Sequence, residues 1–319
     1  MLTLLRRGQA RIEPVEVGPS WAMPADTVWL DLVNPTRDEE LAIEAATSLL
    51  LPTQHDMQEI ETSSRLYQDH GASFMTAVVL AHASDNPVLA PVTFVLFKGR
   101  LITIRYDRPG AFELFAAQLG REPEVCQDGT GVFLGLLDAI IDRVADILEE
   151  TSAEVELVSQ EIFRRPGKTE AFSALLTRLG RAQSVDGKTR ASLISLTRIL
   201  GYSGLVDAFE GDKEQRGRLR SLQRDVQSLA DHGGRLSGDI TFLLDAALGL
   251  INVEQNAIIK IFSVASVVFL PPTLVASIYG MNFKHMPELN WMGGYPFAIG
   301  LMLVSMLIPL WWFKRKGWL

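Results

Sequence analysis

The chain has 319 residues, of which 47% are hydrophobic, yet 21% are charged and the formal net charge is −8. An apolar majority beside an ordinary number of charges excludes an evenly mixed soluble protein and requires the two populations to be segregated along the sequence. From Asn256 onward there are five cations (Lys260, Lys284, Lys314, Arg315 and Lys316) and one carboxylate, Glu288, so an acidic body in water is followed by a basic part at lipid headgroups.

In chain order, MLTLLRRGQARIEP holds a very short apolar stretch before its arginines and no cleavage-site pattern, so it is not a signal peptide. TVWLDLV reads as a strand leading to a helix at Thr36, where Thr36-Arg37-Asp38-Glu39 fits a capping box. SSRLYQ and ASFMTAVVLA, joined through Asp69-His70-Gly71, read as one hairpin, and VTFVLF and RLITIRY, joined through Lys98-Gly99, as another. Residues 1–120 are therefore expected to form an α/β module. The lone cysteine, Cys126, agrees with a reducing compartment. From Asp128 to Arg164 the pattern is helical, and no proline occurs between Pro166 and Pro271, so residues 121–212 are expected to be a helical part of the same body.

A long helix follows. Leu219, Leu222, Val226, Leu229, Leu236, Ile240, Leu243, Ala247 and Leu250 recur in three- and four-residue steps, with Gly233 at the one gap, as in a seam between parallel-packed helices. Unbroken from Lys213 to Asn282, it is about 105 Å long at 1.5 Å per residue. Such an element asks for copies of itself around an axis, while Gly233, Gly234 and Gly238 are the points where it would break.

Two charge-free runs, residues 261–283 and 289–313, are each long enough for the roughly 30 Å hydrocarbon layer. Trp291, Tyr295, Trp311, Trp312 and Trp318 stand at their ends, where aromatic belts sit. The organisation expected is a stalk helix over 213–281 whose end, from about 258, is the first span, an outer loop over 282–294, a second span over 295–313 and a basic tail over 314–319. The tail KRKGWL orients both termini to the cytoplasm. The first span carries one face of small, hydroxyl or amide residues: Asn256, Ile259, Phe262 or Ser263, Ser266, Leu270, Thr273, Ser277 and Gly280. Small residues commonly serve close helix packing, but a whole stripe that ends in the polar segment YGMNFKHMPEL points to a water-containing pore. Pro271-Pro272 lies mid-span, where freed carbonyls need neighbours or water.

YGMN and MPEL at this spacing, the preceding IIKIFSVASVVFLPPTLVASI, the two C-terminal spans and the basic tail resemble the CorA family of magnesium channels. The resemblance is densest from about Gly249 to the end. It implies a membrane protein with an α+β cytoplasmic domain of α/β/α layering, a long stalk helix and two C-terminal transmembrane helices, assembled as a homopentamer. It further implies that the first span lines the pore.

Beside that resemblance, the chemistry is simple. Magnesium sheds its water reluctantly and needs six oxygens near 2.1 Å, so recognising the hydrated ion is easier than stripping it. Gly280, Met281 and Asn282 form the expected selectivity filter, Asn282 offering an amide ring whose grip is weak enough to release the ion. Gly and Asn also suit an ordinary helix C-cap. The family resemblance matches Asn256, Ile259, Phe262, Ser266, Leu270, Thr273 and Ser277 to pore-facing positions, and Glu288 is the outer-loop acid. Lys284 stands where family members often place an acid, and His285 beside it is a loop residue able to meet a transition metal. Intracellular Mg2+ is implied as regulator, with Asp69, Asp225 and Asp231 as candidate ligands. The resemblance implies Mg2+ as the transported ion, leaving open whether Co2+ and Ni2+ also pass, and implies membrane lipid and other copies of the chain as partners; no nucleic acid or organic cofactor is expected.

The alternatives are a ZntB-like zinc transporter and a membrane-anchored structural or sensory protein. An enzyme is not expected: there is no phosphate loop, and His55, His70, His82, His232 and His285 show no zinc-ligand spacing.

Overall fold

The computed structural model describes the chain apart from residues 10, 19–20, 60, 62–64, 83–85, 120–126, 165–168, 210–211, 283–285 and 318–319. Seven strands, β1 (Leu2–Arg6), β2 (Glu13–Val15), β3 (Thr27–Val33), β4 (Leu66–Asp69), β5 (Ala72–Ala81), β6 (Val88–Phe97) and β7 (Arg100–Arg105), form one sheet in the order β2-β1-β3-β7-β6-β5-β4. Among the described residues the α-helices are α1 (Arg37–Thr47), α2 (Gln54–Gln58), α3 (Gly110–Gln118), α4 (Gly129–Arg164), α5 (Thr169–Ser203), α6 (Lys213–Tyr279) and α7 (Gly294–Arg315). The chain divides into two compact units, one of Met1–Arg164 with Ala174–Leu244, the other of Arg165–Ser173 with Asp245–Leu319.

Local chemistry shapes the first unit. His70 and Gly71 (φ 46° and 75°) and Lys98 and Gly99 (φ 48° and 73°) take left-handed conformations in two-residue turns, the twist that tight hairpins require. The registers follow, Asp69 opposite Ala72 and Phe97 opposite Arg100. Thr36 caps α1 in a reciprocal box with Glu39. The N-terminal LTLLR is a strand that pairs antiparallel with both β2 and β3.

One sheet face packs Leu30, Leu32, Phe74, Val95 and Ile104 with Ile43 of α1 and Met57 of α2. Trp29 sits edge-on to Phe115 of α3 at 5.7 Å, and Phe94 edge-on to Phe133 of α4 at 5.5 Å. Helices thus cover both faces of the sheet, the α+β arrangement with α/β/α layering that the resemblance implies. Gly129 is obligatory where α4 begins, because a Cβ there would lie 2.3 Å from the Arg100 carbonyl carbon. The parallel pair β3–β7 is locked by a buried ion pair: Arg105 Nε and Nη2 donate to the two Asp31 oxygens at 3.1 and 2.8 Å, and Thr103 Oγ1 donates to Oδ1 at 2.7 Å.

Helix α6 runs without interruption past Gly233, Gly234 and Gly238. In the first unit its Leu219, Leu222, Val226, Leu236, Ile240 and Leu243 are buried, as a packing seam requires.

In the second unit, α6 and α7 each hold a window apolar enough to cross a membrane, and only 11% of each window is buried within the chain. A soluble core helix shows the opposite, so both are surfaces made for lipid or for other copies. Val264 and Val268 of α6 pack on Phe313 of α7, with Met306 and Leu310 beside them. Lys260 Nζ donates to the Gly317 carbonyl at 3.4 Å, and the Arg315 guanidinium lies 5.1 Å from the Trp311 ring centre. Cations and tryptophans are therefore gathered at one end of the helix pair, as at a headgroup layer.

Candidate pore and regulatory residues

At about 100° per residue on a helix, the covered residues Val264 and Val268 point to one side of α6. Ile259, Phe262, Ser266, Leu270, Thr273 and Ser277 point to the other side, Asn256 stands on the flank between, and every one of these residues is exposed in the single chain. Ile259, Phe262 and Leu270 are 61%, 70% and 67% exposed, large apolar groups that the chain's own second span does not cover. The Thr273 hydroxyl donates to the Phe269 carbonyl at 2.7 Å, which fixes its proton and turns its lone pairs outward.

Beyond Tyr279 the helix closes on itself. Gly280 N–H donates to the Ala276 carbonyl at 2.9 Å and Met281 N–H to Ile278 at 3.2 Å. A Cβ on residue 280 would stand 3.0 Å from the Ala276 oxygen, a tight contact that glycine avoids. Asn282 follows outside the helix, exposed. Asn282 therefore follows directly on a helix C-terminus, the end whose carbonyls carry partial negative charge. They offer oxygen acceptors of the kind that a hydrated cation can donate to.

Glu288 lies in the 3-10 turn Pro287–Asn290. Lys284 and His285 fall outside the described residues, as does Cys126. The turn into α7 is closed by Trp291, whose indole stands where a Cβ on Gly293 would be, 2.8 Å away, and whose carbonyl accepts from Gly294 N–H at 2.9 Å.

Of the regulatory candidates, Asp69 pairs with His70 Nδ1 at 2.7 Å, and Asp231 accepts from Gln227 Nε2 at 3.0 Å. Asp225 acts on a carboxylate that no sequence motif marks: Asp142 of α4 is pushed above the usual carboxyl range by burial, and further by the charges of Asp146 and Asp225. All three carboxylates are exposed, and they are not among the described acidic groups whose ligand atoms converge within 4.8 Å, so they share a field without forming a ready-made cation site. Nothing in the sequence joins Asp142 to Asp225, because the charge of one reaches the other only across two helices. His55, Asp56 and Glu59 also cluster, with one ligand atom of each within 4.8 Å of the others. All three are exposed, and Asp56 already caps α2.

Two lipid-compatible helices, one bearing a polar face away from its partner, on a mixed-sheet body define a membrane transport protein. The chain belongs to the CorA-like Mg2+ transporter family, whose pattern residues 24–315 match. It is 37% identical to the magnesium transport protein CorA of Salmonella typhimurium, over the whole of both chains. Among solved structures, the complete CorA magnesium transporter of Methanocaldococcus jannaschii superposes with a TM-score of 0.78 at 19% identity, covering 100% of this chain and 99% of that one. The cytoplasmic domain of ZntB from Vibrio parahaemolyticus superposes with 0.51 at 11% identity over 79% of this chain and 98% of that one, a likeness of fold alone. Members of this family are transporters and not enzymes, and Mg2+ is the ion that the family carries.

Proposed function

We propose that this chain forms a homopentameric channel through which hydrated Mg2+ enters the cell down its electrochemical gradient. The observation that carries this reading is the orientation of α6: its hydroxyl-bearing stripe lies opposite the face that α7 covers. Polar groups left bare in lipid are costly. Copies of α6 arranged around an axis cover them and supply them with water.

In that arrangement Asn282 forms a ring at the mouth, with the Gly280 and Met281 carbonyls behind it. The ion keeps its water, and the water donates to the ring. Amide oxygens hold a hydrated divalent ion weakly enough for release, where a ring of carboxylates would trap it. Co2+ and Ni2+, hydrated in the same way, pass the same ring. Asn256 forms a second amide ring and Thr273 a hydroxyl ring between, while Ile259, Phe262 and Leu270 make the dry constriction. Glu288 attracts cations at the outer loop. A negative-inside potential contributes about 2.3 kcal/mol per elementary charge per 100 mV, so influx needs no other energy source.

Intracellular Mg2+ closes the channel by binding acids of the body more tightly in the closed state, which is the only way in which a ligand shifts such an equilibrium. Asp225, whose charge reaches Asp142 of α4, is the first candidate for this role, with Asp69 or Asp231 of a neighbouring copy as further ligands. The protein lies in the bacterial inner membrane with both termini in the cytoplasm.

The test uses single cysteines in a Cys126→Ser background. Ser266→Cys, Thr273→Cys and Ser277→Cys are expected to react with a small water-soluble thiol reagent and to lose Mg2+ uptake when they do. Val264→Cys and Val268→Cys are expected to be protected. Protection of the stripe in vesicles that still take up Mg2+ would overturn the pore assignment.

A further inference from the structure

The seam between α5 and α6 holds a polar cluster to which neither the pore nor the acidic group around Asp225 gives a role. Gln183, Asp186 and Arg190 follow one another at i, i+3 and i+7, a single face of α5. Opposite them on α6 stand Gly233 and Ser237. Gln183 Nε2 meets Ser237 Oγ at 3.4 Å. A Cβ on Gly233 would fall 3.3 Å from both Asp186 Oδ1 and Arg190 Cγ. Gly233, the one gap in the apolar seam, is thus the recess into which α5 places a carboxylate and the stem of an arginine.

Asp186 is 0% exposed, and among the described residues neither of its oxygens has a hydrogen-bond partner. Gln183 Oε1 is likewise buried without a donor. A carboxylate in that setting carries a large desolvation cost unless it is neutralised. Burial pushes the Asp186 carboxyl above its ordinary range, and the Arg190 guanidinium on its own helix, with the His232 imidazole of α6 whenever that ring is protonated, pulls the other way. From α4, Glu150 and Glu154 face α5 across a cavity of about 260 Å3 that Arg178 and Arg181 also line, and Arg178 is paired with Glu154 and Glu161. With the Arg190 guanidinium already acting on Asp186, a metal cation is a poor occupant. The neutralising ligand that fits the recess is the smallest one.

We propose that Asp186 is a proton-binding site in the α5–α6 seam, and that its protonation tightens the packing of α5 against the stalk helix at Gly233. The sign follows from linkage. A carboxyl whose affinity for protons is higher folded than unfolded binds more protons in the folded state. Stability is therefore greatest below the unfolded value of about 3.9 and falls as pH rises from there through the raised folded value. Acidification into that window strengthens the seam, and alkaline conditions weaken it.

The test is the melting temperature of the full-length protein in detergent, from pH 5 to pH 8, for the native chain, Asp186→Asn and Arg190→Gln. Asp186→Asn removes the charge and keeps the shape, so it is expected to melt above the native protein at pH 8, by about 2–4 °C for each kcal/mol relieved. That advantage should shrink as the pH falls toward 5. Arg190→Gln removes a compensating cation and should lose more stability at pH 8 than at pH 5. An Asp186→Asn difference that is independent of pH, or a variant less stable than native or unable to fold at every pH, would show that the ionised carboxylate is required and would overturn the proposal. An Arg190→Gln loss equal at both ends of the range would do the same.

Discussion

Replacing Asp31 with alanine tests the physical account of the body most sharply. Asp31 and Arg105 are 4% and 8% exposed, and the carboxylate accepts three hydrogen bonds, two from the guanidinium and one from Thr103. Trp29 Nε1 in turn donates to Thr103 at 2.9 Å, so the pair anchors a chain of buried polar contacts across β3 and β7. Asp31→Ala leaves the Arg105 charge buried beside Phe112, whose ring centre is 4.3 Å away. Removing one partner of a buried pair costs about 3–5 kcal/mol. At about 2–4 °C per kcal/mol for a unit of this size, the melting temperature should fall by roughly 6–20 °C. The double variant Asp31→Leu with Arg105→Met removes both charges and keeps an apolar contact with Phe112. It should recover most of the loss, since a well-packed apolar pair is commonly as good as a buried ion pair. The assay is thermal unfolding of the full chain in detergent. A single variant within about 0.5 kcal/mol of native, as for an ordinary surface change, or a double variant worse than the single, would refute this reasoning.

Thr273→Val keeps the side-chain shape and removes the outward hydroxyl oxygen that the hydrated ion would donate to; one such lost hydrogen bond, about 1 kcal/mol, should slow uptake about fivefold with assembly unchanged, and Thr273→Ser should restore it. Gly293→Ala forces a Cβ against the Trp291 indole and should destabilise by about 1–3 kcal/mol, as overpacking does, read as a lower melting temperature. Asp225→Asn should raise the internal Mg2+ needed to halve uptake by about 5- to 150-fold, the usual span of an allosteric coupling of about 1–3 kcal/mol. An unchanged midpoint would remove Asp225 from the closing mechanism.

Features governed by neighbouring residues are legible in the amino-acid sequence itself. The Thr36 and Glu39 capping box and the turns at His70-Gly71 and Lys98-Gly99 each rest on chemistry within four residues. The stripe on α6 is legible because hydroxyl and amide groups stand out in an apolar run. The face that packs on α7 is not, since Val264 and Val268 look like every other aliphatic residue of that run. Strand β1 is hidden for a related reason: LTLLR does not alternate, and it becomes a strand only by lying between β2 and β3. Gly233 is visible as a gap, but its reason sits 43 and 47 residues away in Arg190 and Asp186. The effect of the Asp225 charge on Asp142 likewise needs two helices to be packed.

The central claim, that Asn282 forms the mouth of a Mg2+ pore, is tested most directly by uptake into proteoliposomes loaded with a magnesium-sensitive dye. The native chain and Asn282→Ala are compared at matched insertion and oligomeric state, with internal Mg2+ low enough to leave the channel open. Uptake by the native protein that disappears in the variant is the predicted result. Equal uptake by both, or none from a folded native oligomer, would contradict it.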